Sequence, residues 1–142
     1  MTNVLIYIQE CKESQLKNMK IRIKGNSIRF RLTRTEVGTL ALHGYLEEKT
    51  EFAANEFIYA IETRNDIKEL SAEMVGNKLS MFVSEQMAKE WATNAIVGYD
   101  HTVNTGASKS LFLLLEKDFK CIDGKEAEEE PDTYDNPLIS CK

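Results

Sequence analysis

The sequence predicts an α+β domain made of a duplicated β-β-α-β-β unit, with about eight mostly antiparallel strands and two short helices. Three observations lead to this prediction: a strictly alternating hairpin pattern at residues 20–32, a capped helix directly after it, and a second copy of both about fifty residues later. Strands of this number and length are expected to form one strongly curved sheet or a barrel.

The hairpin pattern is the clearest feature of the chain. Basic and apolar residues alternate on both sides of Gly25-Asn26, which has the two-residue period of a strand and a favoured two-residue turn with glycine at its first central position. One face then carries Ile21, Ile23, Ile28, Phe30 and Leu32. The other face, which we call the cationic face, carries Lys20, Arg22, Lys24, Arg29 and Arg31. Lys20 is expected opposite Arg31, Arg22 opposite Arg29, and Lys24 opposite Ser27.

The next segment predicts a helix and two strands. Residues 33–36 form a capping box, and Gly44 is placed to end the helix in a left-handed conformation. Residues 45–52 and 57–62 have the composition of strands, the second more buried than the first.

The pattern then repeats. Residues 75–84 align without a gap on residues 24–33, matching Gly25-Asn26 with Gly76-Asn77 and matching the apolar and cap positions as well. We interpret this as an internal duplication in which each unit buries its apolar face against the other. A chance recurrence of the same elements in a small α+β protein is the alternative.

The second copy continues with a helix over residues 85–93 and a strand over residues 95–99. Residues 111–116 then align with residues 57–62 after a three-residue insertion. The single domain is therefore expected to span residues 19–122, with halves at about 19–63 and 67–122.

Both ends of the chain differ from this domain. Residues 1–18 fit it poorly and are interpreted as a leader, a mis-assigned start ahead of Met19, or an added edge strand. Residues 123–142 hold seven of the 23 acidic residues and two of the 18 basic ones, so this acidic segment accounts for the whole formal net charge of −5. It is expected to be a mobile tail. It either keeps the protein soluble or covers the cationic face in competition with an anionic ligand.

Several function classes find no support in the sequence. Cys11, Cys121 and Cys141 are scattered and are interpreted as free thiols, while His43 and His101 stand alone. No nucleotide-binding, hydrolase or EF-hand motif occurs. No apolar run is long enough to span a membrane, and no secretory signal precedes the domain. We therefore expect a cytoplasmic protein without a cofactor, membrane association or disulfide framework.

Five cations on one hairpin face need compensation, because like charges opposite each other destabilise a strand pair. A structural explanation is a neighbouring acidic strand, for which the candidates are Glu47, Glu51, Glu73, Glu116 and Asp118. The functional explanation is an anion site for phosphate, polyphosphate, nucleotide or an acidic protein segment. Nucleic acid is the weaker form of this hypothesis, since residues 1–122 are neutral overall and the basic strands have few aromatic residues.

A second hypothesis concerns Glu116 and Asp118, which follow the most hydrophobic strand and which alternation places on one side of the chain. Two such carboxylates can hold a metal ion or act as an acid and a base. With Arg22, Arg29 and Arg31 binding phosphate, they predict a metal-dependent hydrolase of phosphorylated small molecules. An ion pair between these acids and the arginines is the simpler interpretation.

The run K-I-R-I-K-G-N-S-I-R-F-R-L from Lys20, with E-K-D-F-K-C from Glu116, resembles an uncharacterised family of short bacterial proteins, a domain of unknown function. That resemblance implies no activity. A weaker likeness is to the triphosphate tunnel metalloenzymes, which bind triphosphate inside a basic β tunnel. Their E-x-E-x-K motif is replaced in this chain by Lys20-x-Arg22-x-Lys24, so both metal-binding acids become cations. The sequence favours a non-enzymatic binding protein, with the hydrolase as the alternative.

Overall fold

The computed structural model describes residues 19–119 as an α+β fold of eight strands in two mixed sheets with two helices. In chain order the elements are β1 (Lys20–Lys24), β2 (Ser27–Leu32), α1 (Arg34–His43), β3 (Tyr45–Glu51), β4 (Glu56–Arg64), β5 (Ser71–Val75), β6 (Lys78–Ser84), α2 (Glu85–Trp91), β7 (Gly98–Gly106) and β8 (Lys109–Lys117). The predictions for residues 1–18 and for the acidic segment lie outside the described residues, as do all three cysteines.

Each sheet contains four strands, in the orders β1-β2-β8-β7 (the first sheet) and β3-β4-β6-β5 (the second sheet). The four sequential hairpins are antiparallel, and the two central pairs, β2 with β8 and β4 with β6, are parallel. The expectation of one curved sheet or a barrel is therefore wrong. The helical crossover after β2 carries the chain into the other sheet, so hairpins from both halves combine in two open sheets and do not close on themselves.

The hairpin register at residues 20–32 is confirmed in every pair. Lys20 lies opposite Arg31, Arg22 opposite Arg29, and Lys24 opposite Ser27. Gly25 has a φ of 55° and Asn26 a negative φ, which is the combination expected when glycine takes the first central position of the turn.

Corresponding strands in the two sheets share one register. Ser27 pairs with Phe112 in the first sheet and Lys78 pairs with Ile58 in the second, which are equivalent pairs in the sequence alignment. The turn asparagines are equivalent as well. Asn26 Nδ2 donates to the Ser110 carbonyl, and Asn77 Nδ2 donates to the Glu56 carbonyl at 2.7 Å. Each amide thereby ties a hairpin turn to the neighbouring strand.

Both helices begin where their caps predict. Thr33 and Glu36 form the capping box of α1, Gly44 ends it with a φ of 76°, and Ser84 caps α2 through the Met87 amide.

The strand predicted over residues 95–99 is misplaced, because β7 starts at Gly98. Trp91 Nε1 donates to the Ile96 carbonyl at 2.8 Å, so the chain after α2 folds back onto the tryptophan before the strand begins.

The apolar faces of the two sheets share one core with both helices. Phe30 and Leu115 come from the first sheet and Ile61 and Met81 from the second, while Trp91 is fully buried among them. The rings of Phe30 and Tyr59 meet edge to face across the core, with 6.1 Å between centroids. Within residues 19–119, neither helix has the length and apolar character needed to cross a bilayer.

Candidate anion-binding face

The five predicted cations lie together on the outer face of the first sheet. Burial of Ile28, Phe30 and Leu32 on the inner side forces the alternate residues of β2 outward, and the hairpin register aligns those of β1 beside them. Lys20, Arg22 and Lys24 are exposed, whereas Arg29 and Arg31 are half-buried. The face is an open surface of the sheet and does not line a tunnel.

Glu116 compensates part of this charge. The parallel register places it beside Arg31 on the neighbouring strand, and its Oε1 accepts from Arg31 Nη2 at 2.9 Å and Nε at 3.2 Å. Arg29 Nη1 lies 3.4 Å from the same oxygen. One carboxylate therefore serves two guanidinium groups.

A second pair forms at the end of the sheet, where Asp118 Oδ2 lies 3.1 Å from Lys20 Nζ. The Lys20 side chain is mostly in solvent, so this pair contributes little to stability. The three other candidate acids do not contact the cations. Glu47, Glu51 and Glu73 all belong to the second sheet, and Glu47 accepts instead from the Tyr45 hydroxyl.

Arg22 and Lys24 have no ion pair with any carboxylate among residues 19–119. Arg22 also faces Arg29 directly across the strand pair. Burial lowers the pKa of the Arg29 guanidinium from its ordinary value, Arg31 and Arg22 lower it further by repulsion, and Glu116 offsets part of this. The field at the centre of the cationic face thus remains positive after its internal compensation.

Two shallow depressions cross this face. One, of about 340 Å³, is lined by Arg22, Lys24 and Arg29 together with the apolar side chains of Phe112 and Leu114. The other, of about 180 Å³, lies between Arg22, Arg29 and Arg31. The apolar border was missed in the sequence, although alternation back from Glu116 places Leu114 and Phe112 on the same side.

Gly98 is a further residue that the sequence reasoning missed. It pairs with Glu116 in the β7–β8 ladder, and an added Cβ there would collide with the Leu115 carbonyl and with Glu116 itself. The glycine therefore allows the backbones of β7 and β8 to approach closely at Glu116. No pattern in the sequence distinguishes it from an ordinary loop glycine.

The second sheet does not repeat the charge. The residues equivalent to the five cations are Ser71, Glu73, Val75, Ser80 and Phe82, and their pairing is the same as in the first sheet. The same strand pairing therefore forms in the second sheet without cations at these positions.

The metal hypothesis finds no supporting cluster within residues 19–119, where no group of three or more His, Cys, Asp or Glu side chains could hold an ion. Both predicted ligands instead contact basic side chains, Glu116 that of Arg31 and Asp118 that of Lys20. The basic tunnel implied by the likeness to the triphosphate tunnel metalloenzymes is absent from the described part of the chain, because the two sheets remain separate.

A family model described as a family of unknown function, DUF7009, matches residues 19–138. The chain belongs to this family. The resemblance to an uncharacterised family, based on the basic hairpin and the end of β8, is thereby confirmed. No curated protein matches the chain. The DUF7009 match includes the cationic face, Glu116 and much of the acidic segment.

Proposed function

We propose that this DUF7009 protein is a non-enzymatic binding module whose cationic face takes an extended ligand with several anionic groups. Arg29 and Arg31 supply planar guanidinium groups for oxyanions, and Arg22 and Lys24 supply exposed charge beside them. Carboxylate and phosphate oxygens both suit these donors, so the ligand class is defined by repeated oxyanions.

The observation that carries the proposal is the incomplete neutralisation of the face. Five cations meet two carboxylates, and Arg22 and Lys24 have no carboxylate partner among residues 19–119. Like charges directly opposite each other across a strand pair have a cost in stability. The second sheet avoids this cost with neutral or acidic residues at the same positions, which supports a selected use for the charge in the first sheet.

The shape of the face favours a ligand that lies along the strands. The two depressions are open and run from Lys20 and Arg31 towards Lys24 and Phe112. An enclosed pocket would be expected for a small substrate that must be shielded from water during catalysis. The apolar side chains of Phe112 and Leu114 offer additional contact area to a ligand that combines charge with apolar groups.

We also infer that the two halves derive from one duplicated β-β-α-β-β unit. The shared register of the parallel pairs and the equivalent asparagine bonds support this inference. The cationic face is then a specialisation of one of the two sheets. The second sheet provides an internal comparison in which Ser80 and Phe82, at the positions of Arg29 and Arg31, are buried.

Thermal unfolding with tripolyphosphate tests the proposed function. Tripolyphosphate should raise the Tm of the wild-type protein at constant ionic strength, and Arg22→Ala should reduce that shift by half or more, since one of about four contacting cations is removed. Lys89→Ala is the matched control, because Lys89 is an exposed lysine of α2 and its removal changes the net charge equally. The absence of a shift in the wild type, or equal shifts in both variants, would overturn the proposal.

A further inference from the structure

We infer that the acidic segment of residues 123–142 binds the cationic face of its own chain and competes there with external anions. The inference rests on the proposed function for its competition step. The acidic segment would occupy the part of the cationic face whose positive charge is not compensated by carboxylates of the described residues.

The acidic segment and the cationic face have opposite net charges. The acidic segment has a net charge of −5, with Glu126, Glu128, Glu129, Glu130 and Asp132 in a seven-residue window. The face retains an excess of positive charge after Glu116 and Asp118 are counted. The match to the DUF7009 model runs from residue 19 through residue 138, so the cationic hairpin and the acidic window both lie within the matched residues.

The end of β8 lies at the edge of the cationic face. β8 lies directly beside β2 and runs parallel to it. Beyond the end of β8, the Asp118 amide still donates to the Leu32 carbonyl at 2.8 Å, while the Asp118 carboxylate contacts Lys20. Asp118 therefore lies at the corner of the cationic face that Lys20 and Arg31 occupy, and the next residue, Phe119, lines a depression with Arg34 and Trp91.

The chain after Phe119 is long enough for the acidic window to reach the whole cationic face. β1 spans about 14 Å between Lys20 and Lys24, at about 3.4 Å per residue. Glu126 lies seven residues after Phe119 in the sequence, and an extended chain of that length covers up to about 25 Å. The acidic window can thus reach every cation of the face, including Arg22 and Lys24.

The apolar border adds specificity to this charge match. Phe112 and Leu114 lie beside Arg22 and Lys24 in the larger depression, and the acidic window is followed by Tyr134, Leu138 and Ile139. A segment that places acids on the arginines has apolar side chains available for this border. A ligand of similar composition on another protein would have to displace it.

Paramagnetic relaxation measured on the full chain tests the contact. A spin label is attached at Thr133→Cys in a background with Cys11, Cys121 and Cys141 changed to Ser. Amide signals of β1 and β2 should broaden, whereas those of β5 and β6, the equivalent hairpin of the second sheet, should not. Broadening should disappear when the five acids of the window are changed to Gln or Asn. No broadening, or equal broadening of both hairpins, would overturn the inference.

A mixed sample separates the intramolecular contact from one between chains. It combines isotope-labelled protein without spin label and unlabelled protein with it, and broadening in that sample would overturn the assignment to the same chain. Tripolyphosphate titration then measures the competition. The neutralised variant should bind tripolyphosphate about three to ten times more tightly than wild type, because a tethered competitor acts at an effective concentration on the order of millimolar.

The two proposals fail in different ways. Equal affinity of wild type and the neutralised variant for tripolyphosphate, without broadening, would remove the contact and leave the binding function intact. Failure of both proteins to bind tripolyphosphate would remove the proposed function and with it the competition step. The relaxation data would still decide whether the acidic segment contacts the face.

Discussion

Glu116 determines how much of the positive charge on the cationic face is free. Its Oε1 contacts Arg29 and Arg31, so Glu116→Gln should lower the free energy of unfolding by about 1 kcal/mol. The same change should strengthen tripolyphosphate binding about twofold or more, since the competing carboxylate is lost. Chemical denaturation and calorimetric titration measure the two effects.

The matched control for this change is Glu62→Gln at the equivalent position of the second sheet, which should leave tripolyphosphate binding unchanged. A metal-dependent hydrolase would instead lose activity and metal affinity in Glu116→Gln. Weaker tripolyphosphate binding by the Gln variant would contradict a role for Glu116 as an internal competitor of the ligand.

Burial of the Glu36 carboxyl group predicts a folding stability that depends on pH. Its side chain is 6% exposed, and burial raises its pKa above the ordinary value of 4.5, opposed in part by hydrogen bonds from Thr33 and reinforced by Glu48 and Asp118. The folded state therefore holds the proton more tightly than the unfolded state. The contribution of Glu36 to stability should fall as the pH rises from about 4.5 through the raised pKa.

Glu36→Gln tests this dependence, because glutamine can still accept from the Thr33 amide in a capping box. The variant should gain stability relative to wild type between pH 4 and pH 7, as measured by urea denaturation at each pH. Parallel stability curves for the two proteins would show that the buried carboxylate does not carry this pH dependence.

At the scale of elements, the turn asparagines connect the hairpins to the rest of each sheet. Asn26 donates to a carbonyl of β8, which runs parallel to β2, and Asn77 donates to a carbonyl of β4, which runs parallel to β6. Each Asn→Ala change should lower the free energy of unfolding by about 0.5–1 kcal/mol. The double variant should show the sum, since the two sites lie in different sheets.

Asn65→Ala, in the loop after β4, is the control and should change stability by less than about 0.5 kcal/mol. Chemical denaturation of the wild type and the four variants measures these differences. A cost confined to one of the two turn asparagines would contradict their equivalence.

The register of the first hairpin was predictable because it depends on residues that are close together in the sequence. Alternation and Gly25-Asn26 predicted the register of β1 and β2 residue by residue, and the capping box predicted the start of α1. The start of β7 was not predictable from its composition. It depends on the bond from Trp91 to the Ile96 carbonyl, a contact that exists only once the core has formed.

At the scale of the molecule, each sheet contains one hairpin from each half of the chain. Neither half can complete its central parallel pair alone, so fragments 1–66 and 67–142 should each be largely unfolded as monomers. Mixing them should restore circular dichroism and the fluorescence of Trp91, the single tryptophan. A folded monomer of either fragment would contradict this interdependence.

The expected barrel was wrong at this same scale. Local patterns predict strands and faces, but the parallel partners β2–β8 and β4–β6 join segments far apart in the chain. The cationic residues were likewise predicted from alternation, whereas their pairing with Glu116 follows from that non-local register. The same parallel register places Phe112 at the site, whereas Gly98 lies beside Glu116 through the antiparallel β7–β8 pair.

Chemical-shift mapping of tripolyphosphate on the isotope-labelled full chain tests the binding function of the cationic face most directly. The largest amide shifts should fall on residues 22–24 of β1, residues 27–31 of β2 and Phe112, with small shifts on the equivalent β5 and β6. Shifts centred on other basic residues, such as Arg64 and Lys68, or spread evenly over both sheets would contradict the assignment of function to this face.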